Sequence, residues 1–237
     1  MMRTVAATVV ILACAMGSAQ ADSLVIANPN QADFAAVGRD VTAAFDYPST
    51  APENHGITGL SVGAFGGATR IHNRAAYKAL TGHDDDAIFV GGVQADKGLP
   101  GGWGVGAFLA GVGDNGITLY GARLHYALLE GTPITPSLVW SGYYTGAAGI
   151  DDFNYHAWGT DVTISQSLLV ATPYAGVGYV WGRLAPRHGI ALDPVHAYRA
   201  KGFVGIRFAL LPLVHLGVEY DRLGSTNGLS LRVGMDI

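Results

Sequence analysis

Apolar and polar positions alternate along residues 214–237 in two runs that a glycine-containing turn at residues 224–227 separates. Successive side chains of a β-strand point to opposite faces, whereas a helix would repeat every three to four residues. The stretch therefore predicts a β-hairpin with one apolar and one polar face. The apolar face carries Val214, Leu216, Val218, Tyr220, Leu229, Leu231, Val233, Met235 and Ile237.

The same alternation recurs from residue 59 onward in segments of about ten residues, the length that a membrane-spanning strand needs. Turn residues such as glycine, proline and aspartate separate the segments. With the hairpin they give about ten strands, an even number, as in bacterial single-chain barrels. The eight predicted strands before the hairpin cover residues 60–71, 87–97, 103–112, 117–129, 137–145, 157–167, 173–183 and 198–208.

Periodicity alone does not say whether the apolar face is buried or faces lipid. A soluble sandwich buries that face, and a membrane barrel turns it outward and keeps the polar face in its lumen. Charged residues make up only 14% of the chain and mean hydropathy is +0.28, against roughly 25% charge in ordinary soluble domains. The other face is rich in glycine, and aromatic residues lie near the strand ends, where membrane girdles form. We therefore predict an all-β fold, a transmembrane antiparallel up-and-down barrel.

The N-terminus predicts export. A basic start, an apolar run at residues 4–16 and the Ala19-Gln20-Ala21 motif predict a signal peptide over residues 1–21, cleaved after Ala21. Residues 11–14 loosely match a lipobox at Cys14, the less well-formed alternative. Because Cys14 is the only cysteine, the mature chain has no thiol for catalysis or disulfides.

An amphipathic helix is predicted over residues 30–45, within an N-terminal segment (22–56) that precedes the barrel (57–237). Asn30 can cap its first turn, and Pro48 stands just beyond its end. The helix is expected to be a plug, a lid on the barrel mouth, an interfacial helix, or a helix that only stabilises the rim. Its apolar stripe carries Phe34, Val37, Val41 and Phe45.

Charged residues within the predicted strands gather on the inner face. Placing the turns at residues 225–226 and 211 sets Glu219 opposite Arg232, His215 opposite both Asp236 and Arg207, and Lys201 opposite Asp221. We expect a network of ion pairs that closes the lumen rather than an ion path, because buried charges are costly unless paired. The predicted network comprises Arg123, Asp161, Lys201, Arg207, His215, Glu219, Asp221, Arg232 and Asp236.

Other chemistry finds little support in the sequence. No histidine or acidic pair has a trusted metal-ligand spacing, no phosphate-binding loop is present, and no cofactor is predicted. The net charge of −4 argues against a nucleic-acid partner. A lipid-modifying active site at the outer rim could recruit Ser225, His156 or His188, and Asp151, but no nucleophile motif is present.

Several segments resemble a largely uncharacterised family of small proteobacterial outer-membrane β-barrel proteins: residues 56–59, 126–131, 172–178 and 219–222. The resemblance implies fold and compartment only, the outer membrane of a Gram-negative bacterium. Barrels of this class usually end in Phe or Trp, which the barrel assembly machinery reads, whereas this chain ends in Ile237. Outer-membrane lipids and that machinery are the expected partners.

The expected function is that of a porin-like or transport-related barrel that passes small or hydrophobic compounds, with the helix as plug or lid. The alternatives are a structural or surface-interaction barrel with a sealed lumen and the lipid-modifying enzyme.

Overall fold

Ten antiparallel strands close into a barrel within the residues that the computed structural model describes, which are 24–48, 59–113, 116–132, 134–187 and 189–237. Each strand pairs with its neighbours along the chain, and β1 pairs with β10. The predicted fold class is confirmed. The strands are β1 (Leu60–Arg70), β2 (Ala87–Gly98), β3 (Trp103–Val112), β4 (Ile117–Leu129), β5 (Ser137–Ala148), β6 (Phe153–Ser165), β7 (Ala171–Pro186), β8 (Val195–Leu211), β9 (Val214–Leu223) and β10 (Thr226–Asp236).

The two faces of the wall differ in the way that a membrane requires. Outward positions such as Leu109, Val177 and Val204 are large, apolar and more than half exposed, whereas inward Asp96 and Lys201 are buried. Charged groups stay inside a membrane barrel, and apolar side chains contact lipid. The alternation therefore predicted the correct face for each strand.

The barrel has two ends, which we call inner and outer. The inner end carries the start of β1 and the last residue of the chain, which are joined by hydrogen bonds between Leu60 and Ile237. The outer end carries the two longest connections, residues 71–86 and 187–194. The predicted outer segment 146–156 shortens to residues 149–152, because β5 and β6 extend further than their alternation indicated. The predicted signal peptide lies outside the described residues.

The predicted strand register at the last two hairpins is wrong by two residues. Glu219 is opposite Ser230, not Arg232, and Lys201 is opposite Leu223, not Asp221. Likewise His215 is opposite Gly234 and Ala209 rather than Asp236 and Arg207. The last turn is the pair Gly224-Ser225, and Gly224 adopts a φ of 62° that suits glycine. A slip of two keeps every side chain on its face, so the lumen set is unchanged and only the partners differ.

Two α-helices occur in the described part of the chain. Helix α1 (Gln31–Ala44) starts as predicted, because the Asn30 side chain accepts hydrogen bonds from the backbone N–H groups of Ala32 and Asp33. Helix α2 (Arg74–Thr81) was missed in a segment predicted as a polar loop. It ends at Gly82 in the left-handed conformation and packs against α1. Neither of these helices is long and apolar enough to cross a membrane.

The outward orientation predicts how the barrel responds to a charge on its outer face. Val177→Arg places a cation at mid-strand on β7, and we expect it to lower the free energy of unfolding by about 2–4 kcal/mol. The control is Leu169→Arg in the β6–β7 turn, where the side chain is 99% exposed; it should change stability little. Urea unfolding in lipid vesicles, followed by tryptophan fluorescence, measures both. Equal tolerance of the two substitutions would show that the outer face of β7 is not in lipid.

Candidate functional site

Helix α1 lies inside the barrel, in the outer half of the lumen. It contacts β1, β2, β6, β7, β8 and β10, as well as α2. The helix begins at the outer mouth, where Gln31 exchanges hydrogen bonds with the backbone of Asp193. It ends near the middle of the lumen, where Tyr47 packs edge-on against Phe108 at 5.0 Å between ring centroids.

The apolar stripe predicted for α1 faces the wall. The Phe34 ring meets Phe153 edge-on at 5.9 Å, and the Phe45 ring meets Tyr155 at 5.2 Å. Val41 is fully buried and Val37 is 3% exposed. Contacts of this kind stabilise the helix through burial of apolar area and edge-to-face ring geometry. They account for the location of the helix but not for its orientation along the barrel.

Two carboxylates of the N-terminal segment hold that orientation. Asp40, fully buried, accepts hydrogen bonds from the Thr226 hydroxyl at 2.7 Å and from the backbone N–H of Asn73 at 2.8 Å. Asp46 forms an ion pair with Lys201 on β8, with 2.7 Å between Oδ2 and Nζ. Neither residue belongs to the predicted network, because alternation assigns side chains to the lumen only within strands.

The inner end of the lumen below α1 is closed by an acidic residue shared between two arginines. Asp96 on β2 accepts from Arg123 at 2.9 Å and from Arg232 at 3.3 Å, while Gln94 donates to it at 3.0 Å. The Asp96 side chain is fully buried. Removing one partner from such a buried group leaves an uncompensated charge, so these residues are held in place together.

A second cluster lies closer to the inner end. Arg207 forms an ion pair with Asp236 and donates to Nδ1 of His215 at 2.8 Å. The three side chains line a cavity of about 260 Å³ that opens at the inner end, together with Ser137 and Ser165.

All nine residues of the predicted network lie on the inner face, but several have other partners than expected. Glu219 accepts from the Tyr174 hydroxyl at 2.9 Å. Asp161 and Asp221 lie within electrostatic range of Lys201, whose direct partner is Asp46. Asp96 is the main omission. The alternation of β2 placed it on the inner face, but only the fold shows that its neighbours are arginines of β4 and β10.

The glycine-rich inner face is not empty space. A Cβ at Gly159 would lie 2.2 Å from the Tyr143 ring, and one at Gly176 would lie 2.1 Å from the Phe203 ring. Each of these two glycines therefore makes room for an aromatic ring of the neighbouring strand. Rings from the wall itself occupy part of the lumen at these positions.

The residues considered for a lipid-modifying site are far apart in the strand order. Ser225 lies in the β9–β10 turn, and His156 lies on the outer face of β6, with β7 and β8 between them. Asp151 is in the β5–β6 turn, and His188 lies outside the described residues.

In the outer loop, Asp84 pairs with Lys78 at 2.8 Å and with Arg74 at 3.2 Å. The Lys78 ammonium group holds the pKa of the Asp84 carboxyl below its usual value.

Comparisons with known proteins return folds only. No protein-family model matches the chain, and no curated protein matches its sequence. Among solved structures, the chain is similar to the N-terminal β-barrel domain of Pseudomonas aeruginosa OprF, with 12% identity, 77% of this chain and 99% of that chain covered, and a TM-score of 0.42. It is also similar to the KdgM porin, with 9% identity, 74% of this chain and 98% of that chain covered, and a TM-score of 0.38. For Neisserial surface protein A the identity is 11%, 75% of this chain and 96% of that chain are covered, and the TM-score is 0.30. At such TM-scores these likenesses say nothing about function, and membership of the resembling family stays a prediction.

Because Asp96 is shared between two buried arginines, its substitution should cost more stability than the substitution of Asp236. Asp96→Asn should lower the free energy of unfolding by about 3–5 kcal/mol, because two buried guanidinium groups lose their carboxylate. Asp236→Asn is the matched control: its side chain is 39% exposed, so water screens the loss and the cost should be clearly smaller. Urea titration of the detergent-solubilised barrel gives both values.

The charge exchange Glu219→Arg with Arg232→Glu gives a further check on the partners. A glutamate at position 232 would face Asp96, so the double variant should not recover wild-type stability. Full recovery, or equal costs for Asp96→Asn and Asp236→Asn, would contradict the pairing described here.

Proposed function

We propose that the chain is a plugged pore of the bacterial outer membrane, in which α1 closes the lumen and small solutes pass when the helix is displaced. The observation that carries this proposal is the position of α1, a separate segment docked inside a closed barrel rather than a part of its wall. Bacterial membrane barrels with short turns at one end and longer loops at the other lie in the outer membrane. Outer-membrane lipids and the barrel assembly machinery are the partners that follow.

The way α1 is held supports a removable plug. Among the described residues, the polar contacts that join α1 and the residues just after it to strands include Thr226 to Asp40, Lys201 to Asp46 and the Tyr143 hydroxyl to Asp46 at 3.5 Å. Lys201 also lies in electrostatic range of Asp161. The wall therefore keeps a counter-charge for Lys201 when Asp46 leaves, which lowers the cost of displacement.

The cavity at the inner end indicates the kind of solute. Its polar lining consists of Arg207, His215, Asp236, Thr172 and three serines, beside apolar turn residues such as Leu168 and Leu211. Charged and hydroxyl groups bind polar molecules by hydrogen bonds, whereas hydrophobic solutes need apolar linings. We therefore favour small polar solutes over hydrophobic ones.

The second candidate is a sealed barrel with a structural or surface-interaction role. The close packing of Phe34, Val41 and Phe45 favours it, because buried aromatic contacts make displacement of the helix costly. No contact among the described residues favours the lipid-modifying enzyme, which is the least supported reading.

A disulfide between α1 and the wall separates the first two candidates. A Cβ built at Gly182 lies 3.1 Å from Cβ of Thr42, close to the 3.5–4.5 Å that disulfides span. The sequence has no cysteine after Cys14, so Thr42→Cys with Gly182→Cys would form an isolated pair. In planar bilayers, the oxidised form should show no openings, and reduction should restore those of the wild type. Each single-cysteine variant is the control and should not respond to reductant.

Weakening the docking of α1 should have the opposite effect. Asp46→Asn removes the charge that pairs with Lys201 and should raise the open probability about tenfold, as a loss of about 1.4 kcal/mol in docking would. The control is Asp84→Asn, which removes a carboxylate bound to α2 and not to α1. A wild-type protein and an Asp46→Asn variant that both never open would overturn the pore and favour the sealed barrel.

A further inference from the structure

A row of three basic side chains crosses the outer surface of the barrel near its outer end. His156 on β6 is directly opposite Arg183 on β7, which is directly opposite His196 on β8. Directly opposed residues have Cβ atoms about 4.5–5.5 Å apart, so the three side chains are neighbours. Alternation places all three outward, and Arg183 and His196 are exposed.

The next outward row toward the middle of the barrel is aromatic. Trp158 is opposite Trp181, and Trp181 is opposite Tyr198. All three are large exposed rings, with exposed fractions of 60%, 42% and 49%. Exposed Trp and Tyr rings mark the interface between acyl chains and headgroups. The basic row, one step further out, therefore lies at the depth of the lipid headgroups.

The basic row is electrostatically unsatisfied within the described part of the chain. His156 interacts electrostatically with both Arg183 and His196, and no ion pair there joins Arg183 to a carboxylate. Ala185, the next outward residue on β7, adds little bulk beside Arg183, while the Tyr120 ring lies over Gly146 next to His156. Three close basic groups that no described carboxylate pairs with call for an anion.

We infer that His156, Arg183 and His196 bind the phosphate of a phosphorylated lipid in the outer leaflet, with its acyl chains over Trp158, Trp181 and Tyr198. The guanidinium group suits a phosphate because it offers several N–H donors in a planar fork. Each imidazole can donate an N–H whether or not it is protonated. The inference depends on the membrane orientation of the wall and not on whether the lumen conducts.

The test uses native mass spectrometry of the full mature protein in detergent, titrated with bis-phosphorylated lipid A. Arg183→Gln should weaken binding about tenfold or more, since it removes charge-assisted hydrogen bonds. The matched control is Arg70→Gln. Arg70 is an exposed arginine at the outer end of β1, and its opposite residue is Ala87, so its row has no second basic group. It should bind like the wild type.

Three further binding measurements show whether the bound phosphate belongs to a lipid or is free in solution. Lipid A from which both phosphates have been removed should bind about as weakly as phosphorylated lipid A binds to Arg183→Gln, and inorganic phosphate should not displace the phosphorylated lipid at equal concentration. His156→Gln with His196→Gln should also weaken binding. Unchanged affinity in Arg183→Gln, an equal loss in Arg70→Gln, equal binding of the phosphate-free lipid, or ready displacement by inorganic phosphate would each overturn the site.

Discussion

Charged side chains in the middle of this wall have to be paired inside the barrel, because there the outer face contacts acyl chains and offers them no water. The strands place acidic and basic residues on the inner face, where burial makes an unpaired charge costly. Asp96 meets this requirement for Arg123 and Arg232 at the level of the lower lumen. Lys201 is paired in the same way by Asp46, which lies after the helix and not in a strand. The wall and the helix inside it are therefore one electrostatic unit.

This shared pairing links the fold to the proposed function. A barrel whose charges were all paired within the wall would gain little from an inserted helix beyond apolar packing. Here Asp40 on the helix meets Thr226, and Asp46, two residues beyond the helix, meets Lys201, so the docked state is specific in position. Because Asp161 and Asp221 remain near Lys201, the wall is not left with a lone cation when the helix moves. In the proposed function, this arrangement would let the helix close the lumen and still be displaced.

The alternation of residues predicted the strands and their faces, and it could not predict their partners. Moving a hairpin turn by one residue shifts every cross-strand partner by two residues and leaves each side chain on the same face. The predicted partners of Glu219 and Lys201 were therefore wrong, although their location on the inner face was right. The helix cap at Asn30 was predictable because a cap is local. Asp96 and Asp46 were missed because their partners come from distant strands. Helix α2 did leave a signal, since Tyr77 and Leu80 are three residues apart before Gly82, but its charged residues resembled a solvated loop.

The orientation of the wall is the claim on which the pairing, the plug and the lipid site all depend, and the tryptophans test it without any substitution. All four tryptophans, Trp103, Trp140, Trp158 and Trp181, are at outward positions of their strands. Fluorescence quenching of the protein in vesicles, with bromine atoms on the lipid acyl chains or with iodide in the water, reports what surrounds them. The structure predicts strong quenching of most of the emission by brominated lipid and weak quenching by iodide. Strong quenching by iodide with little effect of brominated lipid would contradict it.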